Sequence, residues 1–398
     1  MSRNKSRNYF KLFRGFVDSE KAAGFILIGC TIFSLIIANS SFHDAYHHFW
    51  ESKIDLSIGM FKLDYSVEFW INDFLMAVFF LLVGLEIERE VYVGELSDFK
   101  KAITPAFAAL GGMVVPGLIH YAFNAGTPEQ AGFAIPMATD IAFALGILSL
   151  GGKHVPPSLK IFLTALAIID DLGAILIIAI FYTSNLSLLN LGISLGIFGA
   201  LAIIRQLGVR NLFFYLIPGV FMWYFMLKSG IHATIAGVLL AFVTPFREPI
   251  QTNPSYKLQE WLHYPVAIFI IPIFALANTA IVFPKNIIAS LTTHNALGIS
   301  FGLIIGKTLG IFLFTYLIVK LGVGELYQGL NWKKLLAGCA FGGIGFTMSI
   351  FITNLAFTDA DTIVSSKLSI LVASIVASVT GLIVLYVSGK SKKRKFQL

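Results

Sequence analysis

Charge is what this 398-residue sequence has least of: 13% of its residues are Asp, Glu, Lys or Arg, and 57% are hydrophobic. A soluble globular domain carries about 25% charged residues, so that class is excluded. Cysteine is almost absent. Cys30 and Cys339 both lie in apolar runs, which argues for packing and against a disulfide framework. There is no Walker sequence, no phosphate-binding glycine motif and no nucleophile elbow. Energy must therefore come from an ion gradient rather than ATP. His43, His47 and His48 have no Cys or acidic spacing around them that would make a metal site. The basic N-terminus carries no small-residue cleavage pattern, so no removable signal peptide is predicted.

What is present is a series of apolar runs of ~20 residues, the length a membrane-spanning helix requires. Twelve spans are predicted, at about 23–40, 69–88, 102–123, 130–151, 158–182 and 187–205, then 211–227, 229–245, 261–283, 296–319, 334–354 and 364–388. Residues 1–22 are predicted to form a basic N-terminus and 389–398 a basic tail, flanking one twelve-helix domain over 23–388. Within 41–67 the alternation Ile54, Leu56, Ile58 and Phe61, Leu63, Tyr65 predicts a short hairpin in an outer loop. Of 29 Lys and Arg, only Lys53, Lys62, Lys228, Lys285 and Lys367 fall outside, and Lys307 falls within a span. The rest fall on the side of the termini, which the positive-inside rule makes cytoplasmic. The net charge of +7 is thus a topology signal, and nucleic acid is not an expected partner.

Two spans are interrupted. The fourth is broken between Pro136 and Asp140, and the eleventh at Gly342-Gly343-Ile344-Gly345. Each is the middle helix of a trio, three to five and ten to twelve. The trios are seven helices apart, an odd number, so they have opposite orientations. Paired interruptions in inverted-topology repeats point to a transporter site. Backbone polar groups freed at a break cannot face lipid, so the breaks predict a cavity at mid-membrane.

The intramembrane charges gather near these breaks. A charge at the centre of a spanning helix costs at least ~2.5–3.5 kcal/mol, so such residues are functional candidates by default. Asp170 and Asp171 are adjacent on one helix. Their side chains point about 100° apart, so one can face a cavity while the other reaches a neighbouring helix. At the first break, Thr139 offers a hydroxyl, and hard cations prefer oxygen ligands of this kind. Asp140 either joins such a ligand set or compensates the positive N-terminal ends of two half-helices. Lys307 is mid-span and needs a partner, either Asp170 or helix-end carbonyls. Asp73 either caps its helix or serves the ion pathway. Glu86, Glu88, Arg89 and Glu90 form a charge run at one mouth, either simply solvated or pH-sensing. Glu260 and His263 open the ninth span on the same side, and His232 lies on the opposite side.

Five motifs carry a family resemblance. They are Trp70-Ile71-Asn72-Asp73 with Leu75 to Phe80, Gly84-Leu85-Glu86, Ala138-Thr139-Asp140 to Gly146, Ala167-Ile168-Ile169-Asp170-Asp171 to Ile175, and Gly342 to Ile350. Together, from about residue 20 to 388, the chain resembles the bacterial NhaA-type Na⁺/H⁺ antiporters. The resemblance implies an all-α polytopic fold of twelve transmembrane helices in which discontinuous helices four and eleven cross. It implies electrogenic exchange of more than one H⁺ per Na⁺ or Li⁺, with no cofactor. It makes Asp170 and Asp171 the ion-binding aspartates of the Na⁺ site, to which the Thr139 hydroxyl at the first break is a candidate further ligand. Asp140 and Lys307 become charge-compensating residues and Asp73 an ion-access acid. Glu86, Glu90, Glu260, His263 and His232 become pH-response residues. The bacterial inner membrane, contact with lipid and a homodimer through the hairpin at about 52–66 are also implied. The sequence departs from the family pattern at Phe74, Glu88 and Thr308, and at Gln259, where the family acid is displaced to Glu260. These departures bear on the pH profile.

The mechanism expected is competition of Na⁺ and H⁺ for the same carboxylates, because a carboxylate out of water holds its proton more tightly. Two alternatives use the same residues. A Na⁺-coupled solute symporter would need a roomier site. An intramembrane aspartyl protease would need two aspartates facing each other, which adjacent Asp170 and Asp171 cannot do alone.

Overall fold

A computed structural model describes residues 22–57, 59, 61–183, 186–246 and 253–390, with 389 and 390 described by backbone alone. The basic segments 1–21 and 391–398, and Ile58 of the expected hairpin, lie outside the described residues. Helix α1 is Ala22–Ala38 and α2 is His43–Glu51. Strands β1 (Lys53–Asp55) and β2 (Asp64–Ser66) pair antiparallel, with Ile54 opposite Tyr65. The α2 helix lies in a stretch read as loop from sequence. Two edge-on contacts, Tyr46 and Phe49 each against Trp50, pack it.

The main helices follow: α3 (Val67–Val93) and α4 (Phe99–Asn124), then the 3₁₀ segment Pro128–Met137 and α5 (Ile141–Ser149). Next come α6 (Pro157–Phe181), α7 (Leu188–Gln206), α8 (Phe213–Ser229), α9 (Thr234–Val243) and α10 (Pro254–Asn278). The chain ends with α11 (Ile287–Leu291), α12 (His294–Lys320), α13 (Trp332–Gly342), α14 (Phe346–Ala356) and α15 (Ala360–Lys390). Among the described residues, seven helices are long and apolar enough to cross a membrane, or up to 10 spans if each bent pair is one. The chain is a multi-pass helical membrane protein. The predicted eighth span is helical only over the ten residues of α9. At 1.5 Å per residue that is ~15 Å, about half a hydrocarbon core.

Both expected interruptions are present. The 3₁₀ segment meets α5 at a 45° bend, and α13 meets α14 at 41°. Pro136 removes one backbone donor at the first bend. Three further helices change register without bending so far. Wide π-helical turns occupy Trp70–Leu75 in α3, Val266–Ile270 in α10 and Gly302–Lys307 in α12.

Glycine sets how closely α4 and α12 approach. A Cβ on Gly310 would lie 2.1 Å from the Gly111 carbonyl oxygen, and one on Gly306 would lie 2.8 Å from Pro116 Cα. Small residues at helix contacts do this in membranes, where lipid supplies no hydrophobic drive between helices. The approach buries Lys307, whose Cδ packs near Gly112. Gly310→Ala is expected to destabilise the detergent-purified protein by about 1–3 kcal/mol, through overpacking against backbone. Gly192→Ala, whose added methyl would meet nothing within 4 Å, is the control. Thermal unfolding checks this, and equal midpoints for the two variants would contradict the close approach.

Candidate functional site

The two breaks touch each other. Asp140 N–H donates to the Ile344 carbonyl at 2.7 Å, and Thr139 Oγ1 lies 2.8 Å from the Gly342 carbonyl. Ser349 Oγ donates to the Ile135 carbonyl at 2.7 Å. Each break therefore supplies partners for backbone groups that the other leaves free, as an interior without water requires.

Asp140 is 2% exposed and sits between two helix starts. Its Oδ1 accepts from Phe143 N–H at 2.9 Å, capping α5. Its Oδ2 accepts from Thr347 N–H at 3.0 Å and from the Thr347 hydroxyl, in the first turn of α14. One carboxylate thus faces the positive ends of two half-helices.

Thr139, Asp170 and Lys307 form the adjoining cluster. Lys307 is fully buried, and its ammonium donates to Asp170 Oδ2 and, at 2.8 Å, to Thr139 Oγ1. Thr139 Oγ1 is also 2.8 Å from Asp170 Oδ2. Asp171, on the next position of α6, makes no such ion pair among the described residues. Its Oδ1 and the Oδ1 of Asp170 are buried without a hydrogen-bond partner among them. Two free carboxylate oxygens beside a hydroxyl and helix-end carbonyls make an oxygen-only environment suited to a proton or a hard monovalent cation. Among the described residues no cluster of three His, Cys, Asp or Glu suits a bound metal.

The remaining expected site residues lie apart from this cluster. Asp73 sits in the π-helical turn of α3, six residues inside the helix, whose start is capped by Ser66. Glu86 lies 3.9 Å from His263 Nδ1, joining α3 to α10. Glu90 pairs with Arg89 at 2.8 Å and accepts from Glu95 N–H at 3.0 Å. Glu260 is exposed, while Gln259 is buried and hydrogen-bonds Glu86. His232 Nε2 is 2.9 Å from the Tyr182 carbonyl.

The model of the family described as Na⁺/H⁺ antiporter 1 matches residues 14–385. The chain belongs to that family. Among similar members, an antiporter NhaA of Flavobacterium psychrophilum is 58% identical over 93% of this chain and 94% of its own length. One from Dechloromonas aromatica is 54% identical over 93% and 94%. One from Cytophaga hutchinsonii is 53% identical over 94% and 94%.

For this antiporter-family chain, the sequence reading missed three sets of residues. Thr347 holds Asp140, and its signal was a hydroxyl directly after the second break, mirroring Thr139. An amide chain runs from Asn354 to Asn278 at 2.5 Å and on to Asn72 at 2.7 Å. Glu88, noted as one of a charge run and as a departure from the family pattern, is buried against Arg205. Nothing local signals the last two, since their partners are distant in the chain.

The capping geometry has a measurable cost attached. Thr347→Val removes one donor to a buried carboxylate and is expected to cost about 1–3 kcal/mol. Asp140→Ala frees two helix starts at once and is expected to cost more. Thermal unfolding of the two purified variants ranks them, and equal stability would contradict the shared cap.

Proposed function

We infer that the protein is a Na⁺/H⁺ antiporter, a secondary transporter and not an enzyme. The observation that carries this reading is the buried Asp171 carboxylate, whose Oδ1 has no hydrogen-bond partner among the described residues, beside the Lys307–Asp170 pair, in a chain of the Na⁺/H⁺ antiporter 1 family whose relatives bear that name. A lone buried carboxylate must hold a proton or a cation, since leaving it bare in low dielectric is costly. Binding Na⁺ and binding H⁺ are then alternatives at one site, which is what obligatory exchange requires.

In this mechanism Asp171 is the main Na⁺ ligand. Asp170 exchanges its proton against the salt bridge with Lys307. Thr139 positions both partners. Asp140 caps two helix starts and keeps the breaks together while ions pass. At alkaline cytoplasmic pH the site loses protons and takes up Na⁺. It then reorients outward by alternating access, and protons displace the ion. Li⁺, of the same charge and hardness, is accepted as well. Asp73 lies on the outward pathway. Glu86 and Glu90, with His263, Glu260 and His232, bias the cycle by pH.

Several features support the finer architecture within this reading. Adding the short helices α8 and α9 to the ten longer spans gives twelve. Contact between the two breaks is what crossed discontinuous helices would produce. The Lys and Arg distribution favours cytoplasmic termini in a bacterial inner membrane. The β1–β2 hairpin, with exposed Ile54 at its edge, is the proposed homodimer contact.

Asp171→Asn is expected to abolish Na⁺-dependent and Li⁺-dependent alkalinisation of acid-inside everted vesicles, at unchanged protein level. Retained exchange would remove Asp171 from the site. With wild type, the apparent Na⁺ affinity is expected to fall as pH is lowered, because protons then occupy the carboxylates. Glu86→Gln is expected to move that pH dependence with the maximal rate retained, and an unmoved profile would exclude Glu86 from the response.

A further inference from the structure

Glu88 is one of the few charged residues buried in the described bundle. It lies on α3, two residues beyond Glu86, and is 4% exposed. Its Oε1 is 3.3 Å from Arg205 Nη2 at the end of α7, and its Oε2 accepts from Ser255 Oγ at 2.8 Å in the first turn of α10. Arg205 Nη1 donates in turn to the Phe242 carbonyl in the last turn of α9. Four helices thus meet at one ion pair. Asn253 caps α10 by accepting from Ser255 N–H at 3.0 Å, fixing the hydroxyl's position.

The other end of the α3–α10 contact is the Glu86–His263 pair. Ser255, Gln259 and His263 are spaced i, i+4 and i+8, so they line one face of α10. That face lies along Glu88 and Glu86 of α3. A shift of α10 at Ser255 therefore moves His263 relative to Glu86.

We propose that Glu88 and Arg205 are positioning residues for the exchange reaction: their ion pair, closed by Ser255, holds α10 against α3 and so sets the Glu86–His263 spacing on which the pH response depends. The inference rests on the exchange reading above. Among the described residues, the charged and titratable groups around Glu88 are Glu86, Arg89, Glu90 and Tyr92 on α3, Arg205 on α7 with Arg210 across the cavity that both line, and Tyr215 of α8 beside Arg205. On α10 there are Tyr256 near Arg89, His263 at Glu86, and exposed Lys257 and Glu260. The described part of α9 has none. Arg205 is the cation in contact with Glu88, and its planar guanidinium fits a carboxylate held at a helix junction.

Position and charge make opposite forecasts. As independent charges, Glu88→Gln removes a negative group near Glu86, whereas Arg205→Gln leaves one uncompensated, so their pH profiles move in opposite directions and cancel in the double variant. As a strut, both single variants loosen the same contact. Their profiles then move in the same direction, and Glu88→Gln/Arg205→Gln moves no further than either. At fixed pH the apparent Na⁺ affinity is expected to weaken about threefold in each, with the maximal rate within about twofold. The measurement is Na⁺-dependent alkalinisation of everted vesicles across neutral to alkaline pH, normalised to membrane protein level. If Arg205→Gln does not accumulate, Glu88→Gln against the double variant carries the comparison: equal shifts support the strut. Opposite shifts, additive shifts or none overturn it. Wild-type vesicles without Na⁺-dependent alkalinisation would sink the exchange reading itself. Wild-type exchange with unshifted variants sinks the strut alone.

Discussion

A bilayer interior has no water to satisfy a charge or a free backbone group, and this constraint explains the centre of the molecule. Two spans give up their helical hydrogen bonds at mid-length, which is tolerable only because each break answers the other. The Ile344 and Gly342 carbonyls lie opposite Asp140 N–H and Thr139 Oγ1. Asp140 then sits between two helix starts whose dipoles both favour a negative group. Lys307 is placed by glycines that bring α12 onto α4, and its ammonium is taken up by Asp170 and Thr139. Among the described residues, Asp140 faces two helix starts and Asp170 is paired with Lys307, whereas Asp171 makes no ion pair and its Oδ1 has no hydrogen-bond partner.

In the proposed mechanism, Asp171 gives the arrangement its chemistry. Pairing all the carboxylates would make a stable and inert core. Leaving one unpaired demands a mobile partner, and a proton and a small hard cation are the partners that fit. The Lys307–Asp170 pair adds a second element that can change state. A buried pair gains little net stability over apolar packing, because desolvation offsets most of its attraction. Opening such a pair would leave a buried charge uncompensated, so it opens only as a proton or an ion takes the place of the lost partner.

Much of this was legible in the sequence because the membrane makes exceptions visible. Asp140, Asp170, Asp171 and Lys307 stand out against apolar runs, and the breaks show as Pro136 and the Gly342–Gly345 cluster. The contact between Thr139 and Asp170 was not legible, nor was the role of Thr347, because both depend on how two distant half-helices approach. The π-helical turns in α3, α10 and α12 leave no local signature in residues that are mostly apolar or small. The shortness of α9 was hidden by the apolar residues flanking it. Glu88 read as one of a charge run that was either solvated or pH-sensing; it lies buried, and only the fold brings Arg205 to it.

The central claim is that Na⁺ and H⁺ compete for one buried carboxylate, and proton release on ion binding tests it most directly. Purified protein in weakly buffered solution at alkaline pH would receive NaCl, with choline chloride as the control. Saturable acidification with Na⁺ and with Li⁺, absent in Asp171→Asn, is the expected result. Na⁺ binding without proton release would contradict the account.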